Sequence, residues 1–425
     1  MFAPHQRVTV PKNAGLLKKL LAFSGPGYLV AVGYMDPGNW ATDLAGGSTF
    51  GYALLSVVAL SSLTAMLLQH LALKLGIATG RNLAQLCREA LPRALSVALW
   101  LLSEAMIIAC DLAEVIGTAI ALSLLFHLPL PVGIIVSAAD TFALLLLHQK
   151  GVRYLEALVI MLIVAIVGCF ALEMLFSQPS LSPLLRGFIP SPGLVHNPHM
   201  LLIATGILGA TVMPHNLYLH SAVVQNRMHD GSLKGKKEAI RLATADSTIA
   251  LTLAFFVNAA ILILAAAAFY TSGHRTVTDI AQAHQLLTPI LGVGAGSLLF
   301  AIALLASGQN STVTATLAGQ IILEGFVHMR VQPWLRRLIT RCLAIIPACA
   351  VILTMGNAGL SGLLIGSQVV LSMQLPFAVI PLLLFTANKK HMGPFVNRRW
   401  LTVGAGCVVV VIVTLNAWLI TTTIT

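Results

Sequence analysis

The 425 residues predict an all-α polytopic membrane protein of 11 transmembrane helices, ten of them forming a 5+5 inverted repeat in which helices 1 and 6 are broken. Three observations carry this prediction. Apolar residues make up 57% of the chain and charged residues 9%, where a soluble domain carries about 25% charge. Apolar stretches of about 20 residues, the length that crosses a bilayer, recur from end to end, and the mean hydropathy is +0.90. Two proline-containing interruptions also stand at matched positions.

The spans are read near 25–47, 52–73, 95–126, 130–147, 155–176, 200–225, 245–271, 287–315, 338–355, 361–386 and 401–421. The third and eighth are long, which allows tilt. The basic residues test the count. If the gaps are numbered alternately, 23 of the 25 Lys and Arg fall on one side, and only Arg186 and Arg275 on the other. The positive-inside rule then puts the N-terminus in the cytoplasm and the C-terminus outside an inner or plasma membrane. The net charge of +11 is therefore a topology signal, and no nucleic-acid partner is expected. The organisation read from this is a cytoplasmic segment 1–22, a first five-helix repeat 23–178, an outer loop 179–198, a second repeat 199–386, and a loop with the eleventh helix over 387–425. The six cysteines form no CxxC pair, so neither a disulfide framework nor a zinc site is expected. No nucleophile–base pair or nucleotide-binding loop is evident, so the expectation is a monomer without cofactor or enzymatic activity.

The first span contains Asp36-Pro37-Gly38-Asn39 and the sixth Met213-Pro214-His215-Asn216. The two prolines lie 177 residues apart, as do the two asparagines. Each motif opens a block of five spans, and because five is odd the second block enters the membrane from the opposite face. Proline removes an N–H and clashes with the preceding turn, and glycine loosens the backbone further. Unwound backbone in lipid costs several kcal/mol per unsatisfied group, so it persists where it lines a cavity or binds something. A packed, kinked helix is the plain alternative for one break; two matched breaks flanked by ligand-type side chains favour an ion site.

Asp36 is an ionisable residue within an apolar span and a functional candidate for that reason. It would supply an anionic oxygen and Asn39 an amide oxygen, with Met213 adding a thioether sulfur. The carbonyls of Ala210 and Gly33 are similarly placed before Met213 and Asp36. Gln368 in the tenth span could add an amide oxygen on closure, with Gln374 as the competing choice. Calcium and magnesium take oxygen ligands, whereas a thioether favours softer transition metals. The set therefore suits manganese, ferrous iron, cobalt or cadmium.

The third span carries Glu104, Asp111 and Glu114. Their spacing puts all three within about 80° on a helix. Such a face is too costly for lipid and could pass protons, with Arg337 or Arg341 at the start of the ninth span as partners. Imidazole titrates near neutral pH, so His215 beside the second break and His220 five residues on are further relay candidates; a structural histidine is equally good for His220. The stretch Gly308 to Thr314 reads as the cytoplasmic end of the eighth span, lining a vestibule or bonding helices together.

The segments Gly33-Tyr34-Met35-Asp36-Pro37-Gly38-Asn39 and Met213-Pro214-His215-Asn216 resemble the two signature motifs of the NRAMP family, the proton-coupled divalent metal transporters. Gly308 to Gly325 is similar to that family's transport signature, with Asn310 where Ser is more usual. The resemblance covers essentially the whole chain. It implies a LeuT-type fold, metal held by Asp36, Asn39, Met213 and the carbonyl of Ala210, and proton transfer involving His215 and the acidic third span. A subgroup carrying magnesium or aluminium lacks the methionine; Asn39 and Met213 place this chain with the transition-metal branch. The expected function is proton-coupled uptake of these metals across the bilayer. A sodium-coupled amino-acid or organic-solute symporter of the same fold is opposed by Asp36 and Met213. A non-transporting metal sensor is opposed by the lack of a soluble domain.

Overall fold

The computed structural model describes residues 8–9, 15–137, 152–228, 231–275, 277, 279–291, 295–327, 331–355 and 358–424. It is helical throughout apart from a two-residue parallel ladder pairing β1 (Val8–Thr9) with β2 (Arg227–Met228). The first half runs α1 (Leu16–Phe23), α2 (Pro26–Ala31), α3 (Pro37–Phe50), α4 (Leu55–Thr79), α5 (Leu83–Ala90), α6 (Arg93–Phe126), α7 (130–137) and α8 (Val152–Ser177). Two short helices follow, α9 (Leu181–Arg186) and α10 (Gly193–His196). The second half runs α11 (Pro198–Thr211), α12 (Pro214–Val223), α13 (Leu233–Ala265), α14 (Ile280–Leu291), α15 (Gly296–Val327), α16 (Pro333–Met355) and α17 (Ala358–Ala387). The chain closes with α18 (Lys389–Met392) and α19 (Arg399–Ile424).

Eight helical stretches among the described residues are long and apolar enough to cross a membrane. Three of the eleven predicted spans fall outside that eight for distinct reasons. The first is broken, and its second half merges with the second span in one stretch, Pro37–Thr79. The fourth extends beyond the described residues. The ninth lies within α16, where Arg336, Arg337 and Arg341 crowd its start.

Two boundaries differ from the sequence reading. Residues 287–291 belong to α14, a separate helix, and α15 begins only at Gly296. The stretch Gly308 to Thr314 does not end a helix; it lies in the middle of α15, which continues to Val327. Ser311, Thr312 and Thr314 within it are buried and hydrogen-bonded. The Thr312 and Thr316 hydroxyls return to carbonyls one turn back at 2.9 and 2.6 Å. Ser and Thr that bond this way satisfy their hydroxyls within the helix itself.

Burial orders the bundle. In the stretch Pro198–Asn226, 94% of the apolar window is buried, against 22% in Arg399–Thr421, so the sixth span is central and the last peripheral. α6 lies along α15, α13 along α4, and α11 against α17. Trp40 is sandwiched between Phe170 and Phe300, with ring centroids at 4.9 and 5.0 Å, and joins α3 to α8 and α15. At the end of the bundle where the chain starts, Arg227 donates to the carbonyl of Phe23 at 2.9 Å and to Glu156 at 2.7 Å, while Asp246 accepts from Gly27 N–H at 2.7 Å. These contacts hold the start of α2 in place. Leu63, Ile135, Val164, Phe256, Ile346 and Val403 point outward, as side chains facing lipid do.

Candidate functional site

The first break follows from one missing hydrogen. Pro37 has no N–H to return to the Gly33 carbonyl four residues back, so the helix cannot run through it. The chain tightens into a 3-10 turn over Val32–Met35 and restarts as α3. Asp36 caps the new helix from an extended backbone, its Oδ1 accepting from Asn39 N–H at 2.8 Å. Its second oxygen, Oδ2, is buried with no hydrogen-bond partner among the described residues. Asn39 donates Nδ2 to the Tyr34 carbonyl at 2.8 Å, which leaves its Oδ1 buried and unpartnered as well. Asn258 of α13 donates to the same carbonyl at 2.8 Å.

The second break repeats the device. Pro214 has no N–H for the Ala210 carbonyl, α11 ends at Thr211, and Met213 is extended and fully buried before α12 begins. The two breaks touch, since a β-carbon on Gly33 would collide with the Asn216 amide. A β-carbon on Gly38 would likewise collide with the Gln368 amide, so α17 closes over the first break. Gln368 donates Nε2 to Ser367 Oγ at 3.0 Å and keeps Oε1 buried without a partner. Gln374, six residues on, is half-buried.

Each buried acceptor left unmade costs about 1–3 kcal/mol. Asp36 Oδ2, Asn39 Oδ1 and Gln368 Oε1 are three such acceptors on elements packed around the same breaks, and a desolvated cation would satisfy them. Among the described residues no group of three His, Cys, Asp or Glu is placed to hold a metal. A metal at the breaks would instead meet one carboxylate, amide oxygens and the Met213 sulfur.

The acidic face of α6 is built differently, because its carboxylates are paired. Arg336 reaches Glu104 at 2.8 Å, and the Trp100 indole N–H donates to the same carboxylate at 3.0 Å. Arg337 bridges Asp111 and Glu114, the latter at 2.9 Å. Arg341 lies 3.4 Å from Glu114 and donates to Thr312 at 2.9 Å. The Ser311 hydroxyl donates to Glu114 at 2.9 Å. Cys110 joins this face to the break, with Sγ 3.6 Å from Glu114 Oε1 and 3.9 Å from His215 Nε2. The run His215, Cys110, Glu114, Arg337, Asp111 is thus continuous. His220 belongs to another string. Its Nδ1 is 2.8 Å from Gln69 Oε1, and Gln69 Nε2 lies 2.5 Å from the Tyr34 hydroxyl.

Sequence reasoning left out Asn216, Cys110, Arg336, Tyr34, Gln69 and Asn258. The 177-residue offset already paired Asn216 with Asn39. Cys110 stands four residues before Glu114, one helical turn on the same face.

The model of the Natural resistance-associated macrophage protein-like (Nramp) family matches residues 27–422. The chain belongs to the Nramp family. It is 56% identical over 416 residues to the divalent metal cation transporter MntH of Nostoc sp., covering 98% of this chain and 94% of that one. It is 58% identical over 414 residues to MntH of Xanthomonas campestris pv. campestris, covering 97% and 93%. A manganese transporter of Eremococcus coleocola superposes with a TM-score of 0.89 at 44% identity, covering 96% of this chain and 88% of that one. Mhp1, a nucleobase-cation-symport-1 family transporter, superposes at 0.61 with 16% identity, covering 90% and 80%. At that identity Mhp1 shows a shared fold alone, in line with the LeuT-type architecture that the motifs imply. The Nramp chain described here is an integral membrane protein of a transporter family, not of an enzyme family.

Proposed function

We propose that this chain takes up divalent transition-metal ions, manganese and ferrous iron foremost and also cobalt and cadmium, together with protons by alternating access. One observation carries the reading: buried oxygens of Asp36, Asn39 and Gln368 stand without partners where two broken helices touch, beside a buried Met213. Asp36 would neutralise charge, Asn39 and the freed carbonyls of Ala210 and Gly33 would replace water, and Met213 would select softer ions over calcium and magnesium. Gln368 would join as α17 closes.

Protons would leave the break by His215 and pass through Cys110 to Glu114 and Asp111, whose charge Arg337 and Arg341 balance. His220, in the Gln69–Tyr34 string, would serve the same break from its other side. Residues 23–178 and 199–386 act as the two halves of a monomer, with the N-terminus in the cytoplasm of an inner or plasma membrane and the C-terminus outside. The relatives' names, divalent metal cation transporter and manganese transporter, support the cargo.

The test is radioactive manganese uptake into proteoliposomes holding a pH dye, with the outside acidic. The expected result is manganese accumulation with simultaneous internal acidification, competed by ferrous iron and cadmium and indifferent to excess amino acids. Uptake without proton movement, or displacement by an amino acid, would contradict the proposal.

A further inference from the structure

A cavity of about 750 Å³ opens at the lysine- and arginine-rich end of the bundle, between the last turns of α4, the first half of α13 and the segment joining α18 to α19. None of the residues at the two breaks lines it. Its wall carries His70, Lys74, Lys237, Arg241 and Arg398 and no carboxylate. Lys74 is buried and donates to Asn397 Oδ1, and His70 Nδ1 is 3.0 Å from Thr244 Oγ1. Lys237, Arg241 and Arg398 are exposed and have no ion-pair partner among the described residues. Some cations elsewhere at this end, among them Lys19, Arg153, Arg227, Arg336 and Arg337, do pair with a carboxylate.

The rest of the wall is largely apolar. Trp400 stands at its rim with 68% of its surface exposed, and tryptophan collects at the level where headgroups meet acyl chains. Ile249 (45% exposed), in the wall, and Val403, just beyond it on α19 (64% exposed), continue the apolar surface outward along the two helices. A free phosphate would use the cations and leave this surface idle, whereas a phospholipid uses both.

We propose that this cavity binds the headgroup of an anionic phospholipid, its phosphate among Lys237, Arg241 and Arg398 and its acyl chains along Ile249 and Val403. The lipid would tie α4, α13 and the approach to α19 together at the membrane surface. The assignment does not depend on what the chain carries.

The test is native mass spectrometry of the full-length protein released from micelles containing dioleoylphosphatidylglycerol or dioleoylphosphatidylcholine. Each basic side chain near a membrane surface attracts anionic lipid severalfold, so retention of the glycerol lipid should exceed that of the choline lipid by about tenfold or more. The triple variant K237Q/R241Q/R398Q should bring the ratio close to one, and the control R81Q/R93Q, basic residues of the same end outside the cavity, should keep it. Excess inorganic phosphate should not displace the lipid. Equal retention of the two lipids, a triple variant that keeps its preference, a control that loses it, or full displacement by inorganic phosphate would each overturn the proposal. The Trp400→Ala variant, which keeps every charge, should weaken retention of both lipids; unchanged retention would remove the acyl-chain half of the assignment.

Discussion

The two breaks and the acidic face of α6 are both polar interiors of one bundle, and they solve the cost of buried charge in opposite ways. At the breaks Asp36, Asn39 and Gln368 keep oxygens without partners among the described residues, and none of those residues forms an ion pair with Asp36. On α6 each of Glu104, Asp111 and Glu114 meets an arginine of α16. A paired carboxylate is stable as it stands and can give or take a proton while its partner balances the charge. An unpaired one is incomplete until something arrives. The difference separates a place where a cation is bound and released from a route along which only protons need pass.

Removing a member from each region should therefore give different failures. Asp36→Ala should reduce manganese uptake to background while the protein still purifies folded, because beyond one unsatisfied oxygen it deletes a single capping hydrogen bond, worth about 1 kcal/mol; proteoliposome uptake beside a thermal melt checks both. Arg337→Gln should do the reverse. It leaves buried Asp111 without its arginine and Glu114 with Arg341 alone, so the fold should lose about 3–5 kcal/mol, seen as a large drop in melting temperature. Asp111→Asn should leave manganese binding in place and abolish metal-driven acidification, which the internal dye reads directly. Met213→Ala should keep manganese uptake but lower discrimination against calcium about tenfold, equivalent to about 1.4 kcal/mol. The smallest effect belongs to Trp100→Phe at the partly exposed end of the acidic face, where one hydrogen bond worth about 1 kcal/mol is lost and uptake should be nearly normal. If Asp36→Ala were to unfold the protein, or Arg337→Gln to leave it unshaken, the contrast between the regions would fail.

Much of this was legible in the sequence. Proline without an N–H dictates where each helix stops, and the equal offsets of Pro37 with Pro214 and Asn39 with Asn216 pair the stops. The acidic stripe was legible because a 3.6-residue period fixes which α6 residues share a face. Its partners were less so: Arg336, Arg337 and Arg341 all begin α16, and only the packing of α16 on α6 assigns Arg336 to Glu104. Gln368 and Gln374 could not be ranked from one helix alone, since the choice depends on which turn of α17 meets Gly38. The stretch Gly308 to Thr314 misled because small polar residues read as a helix end in isolation. Buried against α6, Ser311 and Thr312 find Glu114 and Arg341 instead and the helix continues.

The most direct measurement is anomalous scattering from crystals soaked in manganese, which locates the ion without reference to activity. One peak is predicted at the breaks, within bonding distance of Asp36, Asn39 and the Met213 sulfur, and none beside α6. A peak between Asp111 and Glu114, with the breaks empty, would contradict the account.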